Sequence, residues 1–163
     1  MKIGDLYQMT KLFCTKLIVF ISLLLLISCA KRPETPLHPS VAVTAENNIF
    51  QVNFTCAIAN ENEYRAFINP NGVITINDNG GSTLLEIPFE IPAILPFATV
   101  NIDEWLELSE EAITPLLALL DIDKERIQAG ENIGKKYLDE KNVVYKELNL
   151  ETKDIIELLR GKI

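Results

Sequence analysis

Apolar side chains recur along this chain with several different periods, and each period predicts a different element. Residues 17–27 form an apolar run interrupted only by Ser22, preceded by Lys11 and Lys16 and followed by Lys31-Arg32. A spanning helix needs about 20 apolar residues, so this shorter, lysine-flanked run reads as an export signal. Across residues 50–58, Phe50, Val52, Phe54, Cys56 and Ile58 alternate with Gln51, Asn53, Thr55 and Ala57. That period of two predicts a half-buried strand. Residues 64–68 and 73–76 flank Asn69-Pro70-Asn71-Gly72, which predicts a tight turn between antiparallel strands. Asn77-Asp78-Asn79-Gly80-Gly81 predicts a second turn, leading into a strand over residues 82–91 that Pro88 and Pro92 limit.

After Asn101 the spacing of Ile102, Trp105, Leu106 and Ile113 fits a helix, with Thr114-Pro115 placed as an N-cap and first helical residue. Residues 116–120 follow as a buried turn. Asp121 or Asp123 is placed to cap another helix, with a stripe through Ile127, Gly130, Gly134, Tyr137 and Leu138. Residues 143–150 return to an alternating, β-branched pattern, and Thr152 is placed to cap a terminal helix carrying Ile155, Ile156, Leu158 and Leu159. Strands first and helices later predict an α+β domain. Its expected form is an antiparallel meander of about four strands, with a fifth from residues 143–150, packed against C-terminal helices.

The expected organisation is a leader over residues 1–28, a Pro-rich tether over 29–44 and one globular domain over 45–163. A chain of 163 residues has room for one such domain after the leader. Its formal net charge is -8, and residues 1–28 carry Lys2, Lys11 and Lys16 against Asp5, so the remainder is more acidic still. No basic stripe exists to release counterions from a phosphate backbone, which argues against nucleic acid as a partner. Pro33, Pro36 and Pro39 favour an extended tether that would hold the domain off a membrane, with the single histidine, His38, solvated within it. Met9 offers a more compact start to the leader than Met1.

At the end of the apolar run, Leu26-Ile27-Ser28-Cys29 resembles the lipobox of bacterial lipoproteins. The resemblance covers the leader alone. It implies cleavage between Ser28 and Cys29 and attachment of diacylglycerol to the Cys29 sulfur, giving a stable membrane anchor that one acyl chain alone would not provide. Ala30 after the cysteine resembles lipoproteins sent to the outer membrane facing the periplasm. In a Gram-positive cell the same anchor would remain on the outer face of the plasma membrane. Cleavage after Ala30 is the competing expectation, since Ser28-Cys29-Ala30 also satisfies the small-residue rule.

Cys14 leaves with the leader and Cys29 takes the lipid, so Cys56 is the lone mature thiol, expected in the core. Residues 75–86 imitate a calcium loop, with Asn77, Asn79, Gly80 and Glu86 at suggestive positions. Thr75 stands where Asp is needed, so a plain turn is expected. Gly130-Glu131-Asn132-Ile133-Gly134-Lys135-Lys136 is one residue short of a phosphate loop and ends in Lys. Asp103, Glu104, Glu107, Glu110 and Glu111 form an acidic cluster, in which Glu107 and Glu111 would share a helix face.

With no histidine in the predicted domain, a Ser-His or Cys-His pair cannot be assembled. No catalytic residue, metal ligand or cofactor is assigned. The leading expectation is a lipid-tethered module that binds another envelope protein through an acidic face or an edge strand. The alternatives are a small-ligand binder or inhibitor with a pocket near Phe89 and Trp105, and a hydrolase built on paired carboxylates.

Overall fold

The computed structural model describes residues 30–46 and 49–161. Eight strands account for most of them: β1 (Leu37–Glu46), β2 (Ile49–Ala59), β3 (Arg65–Asn77), β4 (Thr83–Glu90), β5 (Ala93–Ile94), β6 (Thr99–Leu108), β7 (Ile133–Tyr137) and β8 (Val143–Asp154). Three short helices join them, α1 (Glu110–Leu119), α2 (Lys124–Gln128) and α3 (Ile155–Arg160). The class is broadly α+β but mostly β. The strands divide between two antiparallel sheets rather than one meander.

In the first sheet the order is β6-β2-β1-β7. Its inner face is the alternating set read from the sequence, with Phe50, Val52, Phe54 and Ile58 fully buried and Cys56 nearly so. In the second sheet β3 is central, pairing with β4 and β5 along one side and with β8 along the other. Phe67, Ile74, Ile76, Ile87 and Ile94 from this sheet join the first sheet's apolar face in one continuous core. Ile113, Leu116 and Leu117 of α1 and Ile127 of α2 complete it.

The predicted hairpin at residues 69–72 does not exist, because β3 runs through it. Pro70 has no N–H to give a ladder, and the chain absorbs this as a bulge: Asn69 takes φ 47° and the pairing with β8 shifts register between Ile68 and Asn71. The Pro70 carbonyl accepts from the Ile91 N–H at 2.9 Å, and the Asn69 N–H donates to the Pro92 carbonyl at 3.0 Å. Gly72 serves close approach rather than a turn, since a Cβ there would lie 2.1 Å from the Glu147 carbonyl oxygen. The second predicted turn does form. The Asp78 carboxylate accepts from the Gly80 and Ser82 N–H groups, both at 2.8 Å, and Gly81 takes φ 87°.

Residues 99–108 are strand, not helix. Val100, Ile102, Leu106 and Leu108 satisfy a period of two as well as a helical one, and pairing with ten residues of β2 decides between them. The helix starts later, where Ser109 caps α1 and its hydroxyl accepts from the Ala112 N–H at 3.4 Å. Thr114 and Pro115 therefore lie inside α1, and Glu107 and Glu111 share no helix face. Asp123 does cap α2, but Gly130 at φ 88° follows its end, and the stripe expected through Gly134, Tyr137 and Leu138 becomes β7 and the residue after it. The predicted strand at 143–150 extends to Asp154, which caps α3 in place of Thr152.

The expected tether is shorter than its prolines implied. The compact unit begins at Lys31 rather than residue 45, and Leu37 already opens β1, where Pro39 and Ser40 are buried. His38 is exposed at φ 49°, beside a register shift in β1.

Candidate interaction surfaces

Strand pairing fixes which residues meet at each end of the two sheets. Leu37, Ala59 and Thr99 lie at one end of the first sheet, and Arg65 pairs with Asp154 at the corresponding end of the second. Asn60 ties these ends together. Its N–H donates to the Ala98 carbonyl at 2.9 Å, and its Nδ2 donates to the Arg65 and Ile94 carbonyls at 2.8 and 3.0 Å. The Lys31 N–H donates to Asn62 Oδ1 here, and the Ile155 N–H donates to the Tyr64 carbonyl. The chain thus enters and α3 departs at one pole, called proximal below. The turn of residues 78–82 lies at the distal pole.

The outer face of the first sheet is polar with aromatic flanks. Ser40 and Thr55 share a hydroxyl hydrogen bond of 2.7 Å, and Asn53 Nδ2 donates to an Asp103 carboxylate oxygen. Trp105 stands opposite Asn53 on β6 and is 65% exposed. Tyr137, opposite Ser40 on β7, is also exposed, with the Lys135 Nζ 5.5 Å from its ring centroid. Among the described residues β6 has no hydrogen-bonded neighbour on its outer side, so its edge is open. Asp103 and Glu107 point outward with Trp105, whereas Glu104 is half-buried. Glu110 forms an ion pair with Lys124 at 2.5 Å, and this contact raises the Lys124 pKa.

Phe89 and Trp105 are not brought together. Phe89 is buried in β4, its ring centroid 6.2 Å from that of Tyr145, while Trp105 projects from the other sheet into solvent. Neither lines the concave region of about 570 Å³ beside Lys31, Arg32, Glu34 and Glu61, or that of about 530 Å³ beside Arg32, Asn69, Asn149 and Glu151. The clustered carboxylates of residues 103–111 line neither.

The oxygen groups of the calcium-loop imitation are already engaged. Asn77 Oδ1 accepts from Thr83, Asn79 Oδ1 accepts from Asn142 Nδ2 at 3.1 Å, and Glu86 pairs with Lys146 at 2.6 Å. The residues resembling a phosphate loop divide between the turn after α2 and strand β7. Cys56 is buried as a free thiol, and burial pushes its pKa up to about 12. Ser28 and Cys29 lie outside the described residues.

Tyr137 and the asparagines at 60 and 62 were not singled out by sequence. Tyr137 fitted a false helical stripe, and the asparagines sit in a polar loop with no periodic signal. Among the described residues no helix is long and apolar enough to cross a membrane. No protein family, curated protein or solved structure matches the chain.

Proposed function

We propose that this chain is a lipid-anchored, extracytoplasmic interaction module that binds another envelope protein along the open edge of β6. The observation that carries the binding surface is Trp105, exposed in the middle of an edge strand that has a strand partner on one side only. An edge strand offers unpaired N–H and C=O groups to an incoming strand. A tryptophan supplies the large apolar contact that commonly dominates binding energy. Asp103 and Glu107 on the same face as Trp105 favour a partner segment carrying Lys or Arg. The anchor half of the reading rests on the lipobox-like Leu26-Ile27-Ser28-Cys29. Attachment to a membrane would raise the local concentration of the module relative to a partner in the same envelope.

The test is site-specific photocrosslinking in intact cells. A photoreactive residue replacing Trp105 should give one discrete adduct, and the same residue replacing Thr83 on the second sheet should not. Equal smears from both positions, or no adduct from either, would reject the β6 surface. Mass spectrometry of the mature N-terminus tests the anchor separately.

A further inference from the structure

We infer that the proximal pole seats directly on a phospholipid bilayer, with Tyr64, Leu95, Phe97, Ile156 and Leu159 entering its interfacial layer. Eight large apolar side chains are exposed among the described residues, and these five all belong to segments meeting at that pole. Leu95 and Phe97 occupy the loop whose Ala98 carbonyl is held by Asn60. Tyr64 and α3 are joined through the Tyr64 carbonyl and the Ile155 N–H at 2.9 Å. Ile156 and Leu159 are three residues apart and so share one helix face. Phe97 is the most exposed of the five, at 72%, and sits at φ 56°. Exposed apolar side chains gathered at one pole, with three others spread over the rest of the described surface, mark an interaction site rather than an ordinary surface.

The occupant follows from the chain's connectivity. Lys31 enters the folded unit at this pole, held by Asn62, and only Ala30 separates it from Cys29. This inference rests on the proposed membrane attachment at Cys29. A lipid there leaves almost no slack, so the domain cannot stand off the surface and the proximal pole must meet the headgroups. Tyrosine suits that boundary, its ring apolar and its hydroxyl wet, and phenylalanine and leucine supply the apolar contact beneath the headgroups. Two lysines here are offset by acidic neighbours, Lys31 facing Glu61 at 3.8 Å and Lys153 facing Glu151 at 3.4 Å, so the seating is assigned to the apolar side chains. The contact is apolar and resists high salt.

The test uses the mature full-length protein reconstituted into phosphatidylcholine vesicles, with an environment-sensitive fluorophore on a Phe97→Cys variant. An Asn79→Cys variant at the distal pole is the control. Cys56 is buried and stays unlabelled. The expected result is a blue-shifted emission at position 97, quenched by lipid-borne quenchers and unchanged by salt, with an aqueous signal at position 79. In a Tyr64→Cys protein the corresponding shift should disappear when Leu95→Asp and Phe97→Asp are added. Vesicle-bound protein with an acylated Cys29 but an aqueous signal at 97 overturns the seating and leaves the anchor intact. A lipid signal at 97 in protein isolated with no acyl chain on Cys29, reproduced with Cys29→Ser so that position 97 alone is labelled, supports the seating and overturns the anchor. Protein that does not associate with vesicles overturns both.

Discussion

Asn62 grips the backbone of Lys31 from both sides. The Lys31 N–H donates to Asn62 Oδ1 at 2.8 Å, and Asn62 Nδ2 donates back to the Lys31 carbonyl at 2.9 Å. The same Nδ2 donates to Asn60 Oδ1 at 2.7 Å, which links the incoming chain to the residue that ties the two sheets together. Asn62→Ala should free the Lys31 N–H and carbonyl and remove one of two donors from Asn60 Oδ1, which keeps the Asn62 N–H, at a cost of roughly 1 kcal/mol. Trypsin should also cleave after Lys31 faster than in the parent protein. Unchanged thermal stability and unchanged cleavage would show that this clasp is dispensable.

At Gly72 the β3 backbone lies hard against β8. Adding one methyl group there forces a Cβ to within 2.1 Å of the Glu147 carbonyl oxygen, a backbone atom that no rotamer change can move aside. Gly72→Ala should therefore destabilise the protein by roughly 1–3 kcal/mol or more. Denaturant unfolding measures this, with Gly134→Ala, whose added Cβ would meet no atom within 4 Å, as the control.

Cys56 should resist thiol reagents at pH 8 in the folded protein and react once it unfolds. Its pKa is raised from 9.0 to about 12 by burial, so the folded state retains a proton that the unfolded chain releases. Its contribution to stability is thus fully present below about pH 9 and is lost as pH rises toward 12. The slope is at most about 1.4 kcal/mol per pH unit. Cys56→Ala should flatten that part of the pH profile, at the cost of a small cavity.

Tyr145 carries a buried hydroxyl with no hydrogen-bond partner among the described residues. Desolvation, followed by the nearby Cys56, raises its pKa. Tyr145→Phe removes the desolvated group while keeping the ring beside Phe89. The variant should melt at the same temperature or higher, and a marked fall would reveal an unrecognised partner for the hydroxyl.

Trp105→Ala should leave thermal stability nearly unchanged, because the side chain is mostly in solvent. Against a partner bound at β6 the same change should weaken affinity by about 2 kcal/mol, the scale of an interface hot spot. Titration of the partner identified by crosslinking checks the second half of this expectation.

The apolar alternation at residues 50–58 was legible because it is simultaneously the local pattern and the buried face of β2. The turn at 77–81 was legible because Asp78 and the two glycines carry its hydrogen bonds and its positive φ within five residues. Pro70 and Gly72 misled for the opposite reason: their constraints are met by distant chain, the 91–92 segment and Glu147. Residues 102–106 admitted two periods, and only the ten-residue pairing with β2 separates them. The proximal pole was invisible in one dimension, since Tyr64, Phe97 and Leu159 come from three separated segments. Cys29 remained a matter of local motif, which folding does not inform.

The Asp78–Ser82 turn has a practical use that follows from its place at the distal pole. Any label appended after α3 emerges beside the point where Lys31 enters the folded unit, and will share whatever crowding that end experiences. A short epitope inserted at Gly80-Gly81, where the backbone already bends and both residues are exposed, projects from the opposite extremity. Antibody access to the two tags in intact vesicles would therefore differ, and the difference would act as a simple gauge of how the molecule stands.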